Sequence, residues 1–191
     1  MTKYFLVGGY PKKGNRGGKD FCEAFLLDLP ENSEVLICSF AREKREWKKS
    51  CEEMTAFFAL HIPNKKFQFA NANIENFSEQ VQKANAIFFR GGDDKKLFEI
   101  LQQDTSWQNF LHNKNIAGTS AGADILSEYY YDITQNSIQK GLGLAKVKVI
   151  PHFESEEYNV EWERAKKELE NFHAELPTWC LHEGEFKILA S

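Results

Sequence analysis

Short apolar runs of strand length alternate with segments of helical period along most of this 191-residue chain. The five runs that favour strands in the first two thirds are residues 3–8, 34–40, 66–70, 86–90 and 115–119. The segments between them carry apolar residues at the spacing of amphipathic helices, at residues 18–29, 47–58, 75–84 and 94–112. Strands separated by helices join through right-handed crossovers. The pattern therefore predicts an α/β fold with a mostly parallel sheet and helices on both faces.

The last third of the chain continues this pattern and then departs from it. A strand is predicted at residues 147–153, followed by a helix with an apolar stripe typical of core packing. The stripe consists of Tyr158, Trp162, Ala165, Leu169 and Phe172. Residues 178–191 then contain two short apolar runs separated by Glu183 and Gly184, which favour a hairpin. We expect this hairpin to close the sheet at an antiparallel C-terminal edge.

The amino-acid composition and net charge limit the number of domains and the kinds of molecule that the protein can bind. With 42% hydrophobic residues, a chain of this length can fill one core, so we expect a single domain over residues 1–191. The net charge of −4 gives no basic field for nucleic acid or an anionic membrane, which favours a small soluble substrate. The sequence shows neither a signal peptide nor a membrane-spanning apolar run, and its four cysteines lack CxxC spacing. We therefore predict a cytoplasmic protein. Whether it acts alone or as a homodimer stays open.

Residues 117–124, AGTSAGAD, place one serine among residues with very small side chains. Ser120 follows a predicted strand and precedes a helix, and ligands of open α/β sheets bind at this end of the strands. Gly118 and Gly122 relieve the crowding of a tight turn that lifts a serine above the sheet. The N–H of Ala121 then lies at a helix N-terminus, where it can stabilise an oxyanion. The motif predicts a nucleophile, although small residues also occur where a helix simply packs closely on a sheet.

A serine nucleophile needs a base, and the chain has five histidines. His152 follows the apolar run VKVI and a proline, so it also lies at the end of a predicted strand, one crossover after Ser120. His152 is therefore the first candidate for the base, and His182 in the terminal hairpin is a weaker one. The other histidines lie in or beside charged helices or in the terminal hairpin: His61, His112, His173 and His182.

Three segments together resemble the dipeptidase E and cyanophycinase family of serine peptidases. They are FFRGGDDKKLFEIL (88–101), AGTSAGAD (117–124) and KGLGLAKVKVIPHF (140–153), in the family's order. The resemblance implies a fold similar to class I glutamine amidotransferases and a triad of serine, histidine and an acid, without a metal or organic cofactor. It assigns Ser120 as nucleophile and His152 as base. It also implies an oxyanion hole formed by the N–H groups of Gly91, Gly92 and Ala121.

The acidic member of the triad is less well defined by the sequence. The dipeptidase branch of the family has an aspartate between serine and histidine, which corresponds here to Asp132 and ranks it first. Glu154 is an alternative because His152 and Glu154 imitate the His-x-Glu arrangement of glutamine amidotransferases. Glu128 and Glu183 are further alternatives, since any carboxylate can fix the imidazole tautomer.

The resemblance also suggests short peptides as substrates, including those with an N-terminal aspartate. Asp93 and Asp94 stand where many members of the family carry asparagine and threonine, so Asp93 is expected beside the substrate. An acidic substrate side chain requires a cation. Arg164 aligns with an arginine that follows the family's histidine motif, and Arg90 is a second candidate because it ends a strand.

Other functions remain open at this stage. A different amide hydrolase of the same fold is one, although glutamine amidotransferases usually carry cysteine at the elbow. A non-catalytic sensing or scaffold domain is another. Residues 9–21 are rich in glycine and basic residues but lack the G-x-x-x-x-G-K-[ST] order of a nucleotide-binding loop. We expect them instead to form a flexible loop over the edge of the active site.

Overall fold

The computed structural model of the protein describes all residues 1–191 and contains two β-sheets. Its ten strands are β1 Lys3–Val7, β2 Glu34–Cys38, β3 Gln68–Asn71, β4 Ala86–Phe89, β5 Asn115–Thr119, β6 Ser127–Asp132, β7 Ser137–Lys140, β8 Ala145–Ile150, β9 Thr178–Cys180 and β10 Phe186–Ala190. Its six α-helices are α1 Lys19–Leu26, α2 Trp47–His61, α3 Phe77–Lys83, α4 Asp94–Gln103, α5 Ala121–Leu126 and α6 Trp162–Asn171.

The larger sheet has six strands in the order β10-β1-β5-β4-β2-β3. Strands β1 to β5 are parallel to one another, and β10 pairs antiparallel with β1 at the edge of the sheet. Every residue of β4 and β5 is buried, as expected for continuous apolar strands covered on both faces. The predicted α/β class, the mostly parallel sheet and the antiparallel C-terminal edge are therefore confirmed.

The smaller sheet has four strands in the order β7-β6-β8-β9, with β6, β8 and β9 parallel. It shows that the predicted terminal hairpin is wrong. Strand β9 pairs with β8, whereas β10 pairs with β1, so the two runs belong to different sheets. Glu183 and Gly184 lie in the connection between the sheets. The sequence showed the two runs and the turn residues between them, but strand partners are chosen by long-range packing.

The core lies on both faces of the larger sheet. An aromatic cluster beneath α1 and α2 includes Phe21, Phe25, Phe58 and Phe88, with ring centroids 5.4–6.4 Å apart. The opposite face contributes to a cluster of 27 buried residues that also contains side chains of β6 and β8 from the smaller sheet. In this second cluster, side chains of the two sheets pack together. None of the helices has the length and hydropathy needed to cross a bilayer.

Candidate active site

Ser120 occupies a strained turn between β5 and α5. Its backbone has φ 49° and ψ −118°, a left-handed φ that a non-glycine residue rarely adopts and that is often found at functional sites. A Cβ on Gly118 would lie 2.3 Å from the carbonyl carbon of Gly122. A Cβ on Gly122 would lie 2.4 Å from the carbonyl oxygen of Phe89. The two glycines are therefore required because the helix approaches the strands too closely for any side chain.

His152 comes just after β8 and is 5% exposed. Its backbone N–H donates to the carbonyl oxygen of Gly8 at 2.5 Å, which ties it to the end of β1. Nε2 of His152 is 2.8 Å from Oγ of Ser120. In the neutral imidazole with the proton on Nδ1, the Ser120 hydroxyl donates to Nε2, as a general base requires.

Glu183 holds the other side of the imidazole. The Nδ1–H of His152 donates to Oε1 of Glu183 at 2.5 Å. The second oxygen, Oε2, accepts the backbone N–H of Tyr10 at 3.1 Å, which fixes the carboxylate in place. A Cβ on Gly9 would lie 2.4 Å from this oxygen and 2.6 Å from Cε1 of His152. Only glycine at position 9 leaves room for the contact between imidazole and carboxylate.

Asp132, ranked first from the sequence, does not contact His152. It is buried at the end of β6, where Oδ1 accepts the N–H of Thr134 at 2.8 Å, its hydroxyl at 2.6 Å and the N–H of Gln135 at 3.0 Å. The carboxylate therefore caps the turn that leads into β7. Its hydrogen-bond donors belong to that turn, and the imidazole of His152 is not among them. The remaining alternatives also point elsewhere: Glu128 pairs with Lys146 and Glu154 lies 3.8 Å from His182. Of the acids considered, the structure brings Glu183 to the imidazole.

Two of the three predicted oxyanion-hole donors are available. The N–H of Gly91 donates to Oγ1 of Thr119 at 3.0 Å, so it is already occupied. Gly92 has φ 154°, and its N–H makes no hydrogen bond within the chain. A Cβ there would lie 2.4 Å from the carbonyl oxygen of Ala41, so this loop also needs glycine. Ala121 begins α5, and the first N–H groups of a helix have no acceptor in a preceding turn.

Ser120 lines a cavity of about 200 Å³. Arg42 and Arg90 line it, as do Tyr10 and Tyr158 on the side of His152. The ring centroids of Tyr158 and His152 are 4.9 Å apart. Sequence periodicity placed Tyr158 on the last helix, but α6 begins only at Trp162. The sequence analysis missed Arg42, although it comes shortly after the end of β2. A position at the end of a strand is the signal that identified Arg90, and it could have identified Arg42 as well.

The other predicted substrate-binding residues lie outside this cavity. The Arg164 side chain is 65% exposed on α6 and donates from Nε to Glu168 at 2.8 Å. Asp93 caps α4, where Oδ1 accepts the backbone N–H of Lys96 at 2.9 Å. The sequence motifs placed both residues near the site, but their side chains form hydrogen bonds within or at the start of their own helices.

The glycine-rich segment 9–21 borders the site, as expected. Its Tyr10 and Pro11 line the cavity, and Nζ of Lys13 lies 2.9 Å from Oε1 of Glu157. This ion pair joins the segment to the chain that follows His152. The two segments together form one wall of the cavity.

Comparisons with known proteins identify the family and the fold. The model of peptidase family S51 matches residues 12–187. No curated protein sequence matches the chain at a significant level. A crystal structure of a peptidase from an acI-B1 Actinobacterium is similar at 22% identity and a TM-score of 0.66, over 100% of this chain and 88% of that one. A putative peptidase E protein from Listeria monocytogenes EGD-e is similar at 16% identity and a TM-score of 0.65, over 100% and 98%. The family match confirms the resemblance found in three sequence motifs, and the structures share the fold.

Proposed function

Because the chain belongs to peptidase family S51 and is a serine peptidase, we propose that it hydrolyses short peptides through a triad of Ser120, His152 and Glu183. One observation carries the proposal. Oγ of Ser120, the imidazole of His152 and the carboxylate of Glu183 form a continuous hydrogen-bonded chain, with contacts of 2.8 Å and 2.5 Å. This is the relation that a nucleophile, a base and an orienting acid require.

The reaction follows from these contacts. Nε2 of His152 takes the hydroxyl proton as Oγ of Ser120 bonds to the peptide carbonyl carbon, and the carbonyl π electrons move to oxygen. The N–H groups of Gly92 and Ala121 stabilise that oxyanion. Its collapse breaks the C–N bond, and His152 returns the proton to the leaving amine. Water then loses a proton to His152 as it bonds to the acyl carbon. Collapse of this second intermediate breaks the bond to Oγ of Ser120, and His152 returns the proton to Oγ. Glu183 stabilises the imidazolium in both halves.

The size of the cavity supports short substrates. About 200 Å³ is below the roughly 300–1,000 Å³ of pockets that enclose a drug-sized ligand. Tyr10, Pro11 and Tyr158 form its wall beside His152, which limits extension of a peptide on that side. Of the two arginines expected to select an N-terminal aspartate, Arg90 lines the cavity and supports that narrower specificity, whereas Arg164 does not.

The test compares the wild type with Ser120→Ala on a panel of dipeptides and tripeptides that includes Asp-Leu, by release of free amino acid. A fluorophosphonate reagent is applied in parallel to detect the nucleophile. We expect the substitution to abolish both labelling and cleavage, while Ser106→Ala, which changes an exposed serine in a short helical turn, retains both. Labelling without any peptide cleavage would redirect the proposal to another amide substrate. Absence of both from folded wild-type protein would contradict it.

A further inference from the structure

The cavity beside Ser120 continues into a groove of about 370 Å³. The two spaces share a boundary of five residues: Tyr10, Pro11, Arg42, Met54 and Arg90. The groove is also bordered by Phe57 of α2, which does not line the cavity itself. A substrate held at Ser120 can therefore extend into the groove.

The order of the strands indicates which part of a substrate reaches the groove. His152 is tied to the end of β1 and returns the proton to the leaving amine, so that amine lies towards β1. In the sheet, β1 is followed by β5, β4 and β2. Arg90 comes after β4, and both Arg42 and α2 come after β2. The groove thus extends away from His152, on the side of the acyl part of the substrate, which is N-terminal to the scissile bond.

The cavity holds no carboxylate for a substrate ammonium. In a dipeptide the α-ammonium is attached to the carbon beside the scissile carbonyl, about 2.5 Å from it, so it lies inside the cavity. No aspartate or glutamate lines the cavity, whereas Arg42 and Arg90 do. The triad acid Glu183 already accepts from His152 and from the N–H of Tyr10. A substrate ammonium there has no counter-ion and is repelled by both guanidinium groups.

The groove presents apolar surface to an extension at the substrate's N-terminus. Met54 and Phe57 are three residues apart on α2, so they lie on one face of the helix. The glycine-rich segment packs against this face. A Cβ on Gly18 would lie 2.7 Å from Cζ of Phe57 and 2.5 Å from the carbonyl oxygen of Pro11. The one carboxylate that borders the groove belongs to Glu53, and its side chain is 51% exposed.

We propose that the enzyme prefers substrates in which the nitrogen of the residue before the scissile bond is acylated, and that the groove binds an apolar group on this extension. N-acyl dipeptides and tripeptides are such substrates. The inference rests on the proposed peptidase function and names the class of substrate. Acylation removes the positive charge from the nitrogen, and burial of an apolar side chain in the groove stabilises the complex. Hydrolysis then releases the amino acid that follows the cleaved bond.

The first experiment compares kcat/KM for Asp-Leu and acetyl-Asp-Leu, by release of leucine. At about pH 6.5, where the α-ammonium is charged, we expect the acetylated substrate to be cleaved roughly 10-fold more efficiently. The ratio should fall as the pH passes about 8, because the free amine then becomes neutral. The comparison is repeated with Ala-Leu and acetyl-Ala-Leu, so that a preference for the aspartate side chain does not decide it. Equal or better cleavage of the free dipeptides at the lower pH overturns the proposal.

A second comparison tests the groove. Phe-Asp-Leu and Gly-Asp-Leu differ only in the side chain of the extension, and we expect a roughly 10-fold preference for Phe-Asp-Leu. Phe57→Ala should remove most of this preference, whereas Phe57→Leu, which keeps an apolar side chain, should retain most of it. Because both substrates are compared in one variant, a change in stability does not alter their ratio.

Leu60→Ala is the matched control for these variants. Leu60 lies on the same helix, is 72% exposed and borders neither the cavity nor the groove. The preference for Phe-Asp-Leu should therefore be unchanged in Leu60→Ala. A wild-type ratio of one, or a ratio that Phe57→Ala leaves intact, overturns the assignment of the groove.

A binding measurement separates this inference from the proposed function. Ser120→Ala protein is titrated calorimetrically with Asp-Leu, acetyl-Asp-Leu, Gly-Asp-Leu and Phe-Asp-Leu. Tighter binding of the acetylated dipeptide and of Phe-Asp-Leu within their pairs supports the inference even if the wild type cleaves no peptide. Binding that is absent, or equal within each pair, overturns it, while fluorophosphonate labelling of the wild type independently reports the nucleophile.

Discussion

Oε1 of Glu183 lies 2.5 Å from Nδ1 of His152, although the two residues reach this contact from different parts of the fold. His152 follows β8 of the smaller sheet, whereas Glu183 lies in the connection that leads from β9 to the edge of the larger sheet. The acid is thus positioned by the junction of the two sheets. This arrangement makes the role of Glu183 directly testable.

Glu183→Gln is expected to reduce kcat/KM on the order of 10³ to 10⁴ without unfolding the protein. The amide keeps the size of the carboxylate but cannot stabilise the imidazolium, and it favours the wrong imidazole tautomer. Steady-state peptide hydrolysis and the rate of fluorophosphonate labelling measure the loss. Activity within a few-fold of the wild type would exclude Glu183 as the orienting acid.

Asp132→Asn is the counterpart of that experiment. Because Asp132 accepts bonds from Thr134 and Gln135 in a turn, we expect a loss of about 1 kcal/mol in the free energy of unfolding and nearly unchanged kcat/KM. Urea unfolding and the peptide assay measure the two quantities. If this substitution instead abolished activity as fully as Glu183→Gln, the acid assignment would have to return to Asp132.

Gly92→Ala is expected to lower kcat by about 10²- to 10³-fold, the effect of removing one oxyanion-hole donor. The added Cβ would lie 2.4 Å from the carbonyl oxygen of Ala41, so the loop and its N–H must shift. KM should change far less than kcat, since the lost interaction forms in the transition state. Wild-type turnover in this variant would show that another donor stabilises the oxyanion.

We expect the buried carboxyl group of Asp124 to make the free energy of unfolding depend on pH. It is 9% exposed, its Oδ1 has no partner, and burial together with the charges of Asp94 and Asp132 raises its pKa well above the usual value. The unfolded chain ionises this group near pH 4, whereas the raised pKa delays its ionisation in the folded protein, so folding becomes less favourable as the pH rises above about 4.

Asp124→Asn removes that proton linkage. The free energy of unfolding of the variant, relative to the wild type, should therefore increase between pH 5 and pH 8. Urea denaturation at several pH values measures the difference. A difference that stays constant over this range would mean that Asp124 ionises equally in the folded and unfolded states.

Lys148 stabilises the end of α6. It is fully buried, and its Nζ donates to the carbonyl oxygens of Leu169 at 2.7 Å, Glu170 at 3.1 Å and Phe172 at 2.6 Å. Lys148→Met leaves these carbonyls without a donor, so we expect a loss of about 3 kcal/mol in the free energy of unfolding. Lys146→Met, on the same strand but with a side chain 69% exposed, should cost less than about 1 kcal/mol. Equal costs in chemical denaturation would contradict this role for Lys148.

Some parts of the site follow from local sequence. The residues of β5 were predicted with the bounds that the structure shows, because a continuous buried run between polar neighbours is a strong strand signal. Ser120 and His152 were identified by their positions at strand ends, and the structure brings them into contact. The paired glycines predicted a loop with oxyanion-hole donors, and only the structure shows that the N–H of Gly91 already donates to Thr119.

The sequence by itself determined the α/β class and the small-residue turn at Ser120, because these depend on hydrophobic periodicity and on residues beside one strand end. It also identified Ser120 and His152 as candidates, through their positions at strand ends and the family resemblance. Only the tertiary structure decided which acid meets the imidazole and which arginine joins Arg90 beside the nucleophile. Either carboxylate could orient an imidazole, and the family resemblance ranked Asp132 ahead of Glu183. The choice depends on how β9 and β10 separate into two sheets, a long-range pairing that local hydrophobic patterns and turn residues do not encode.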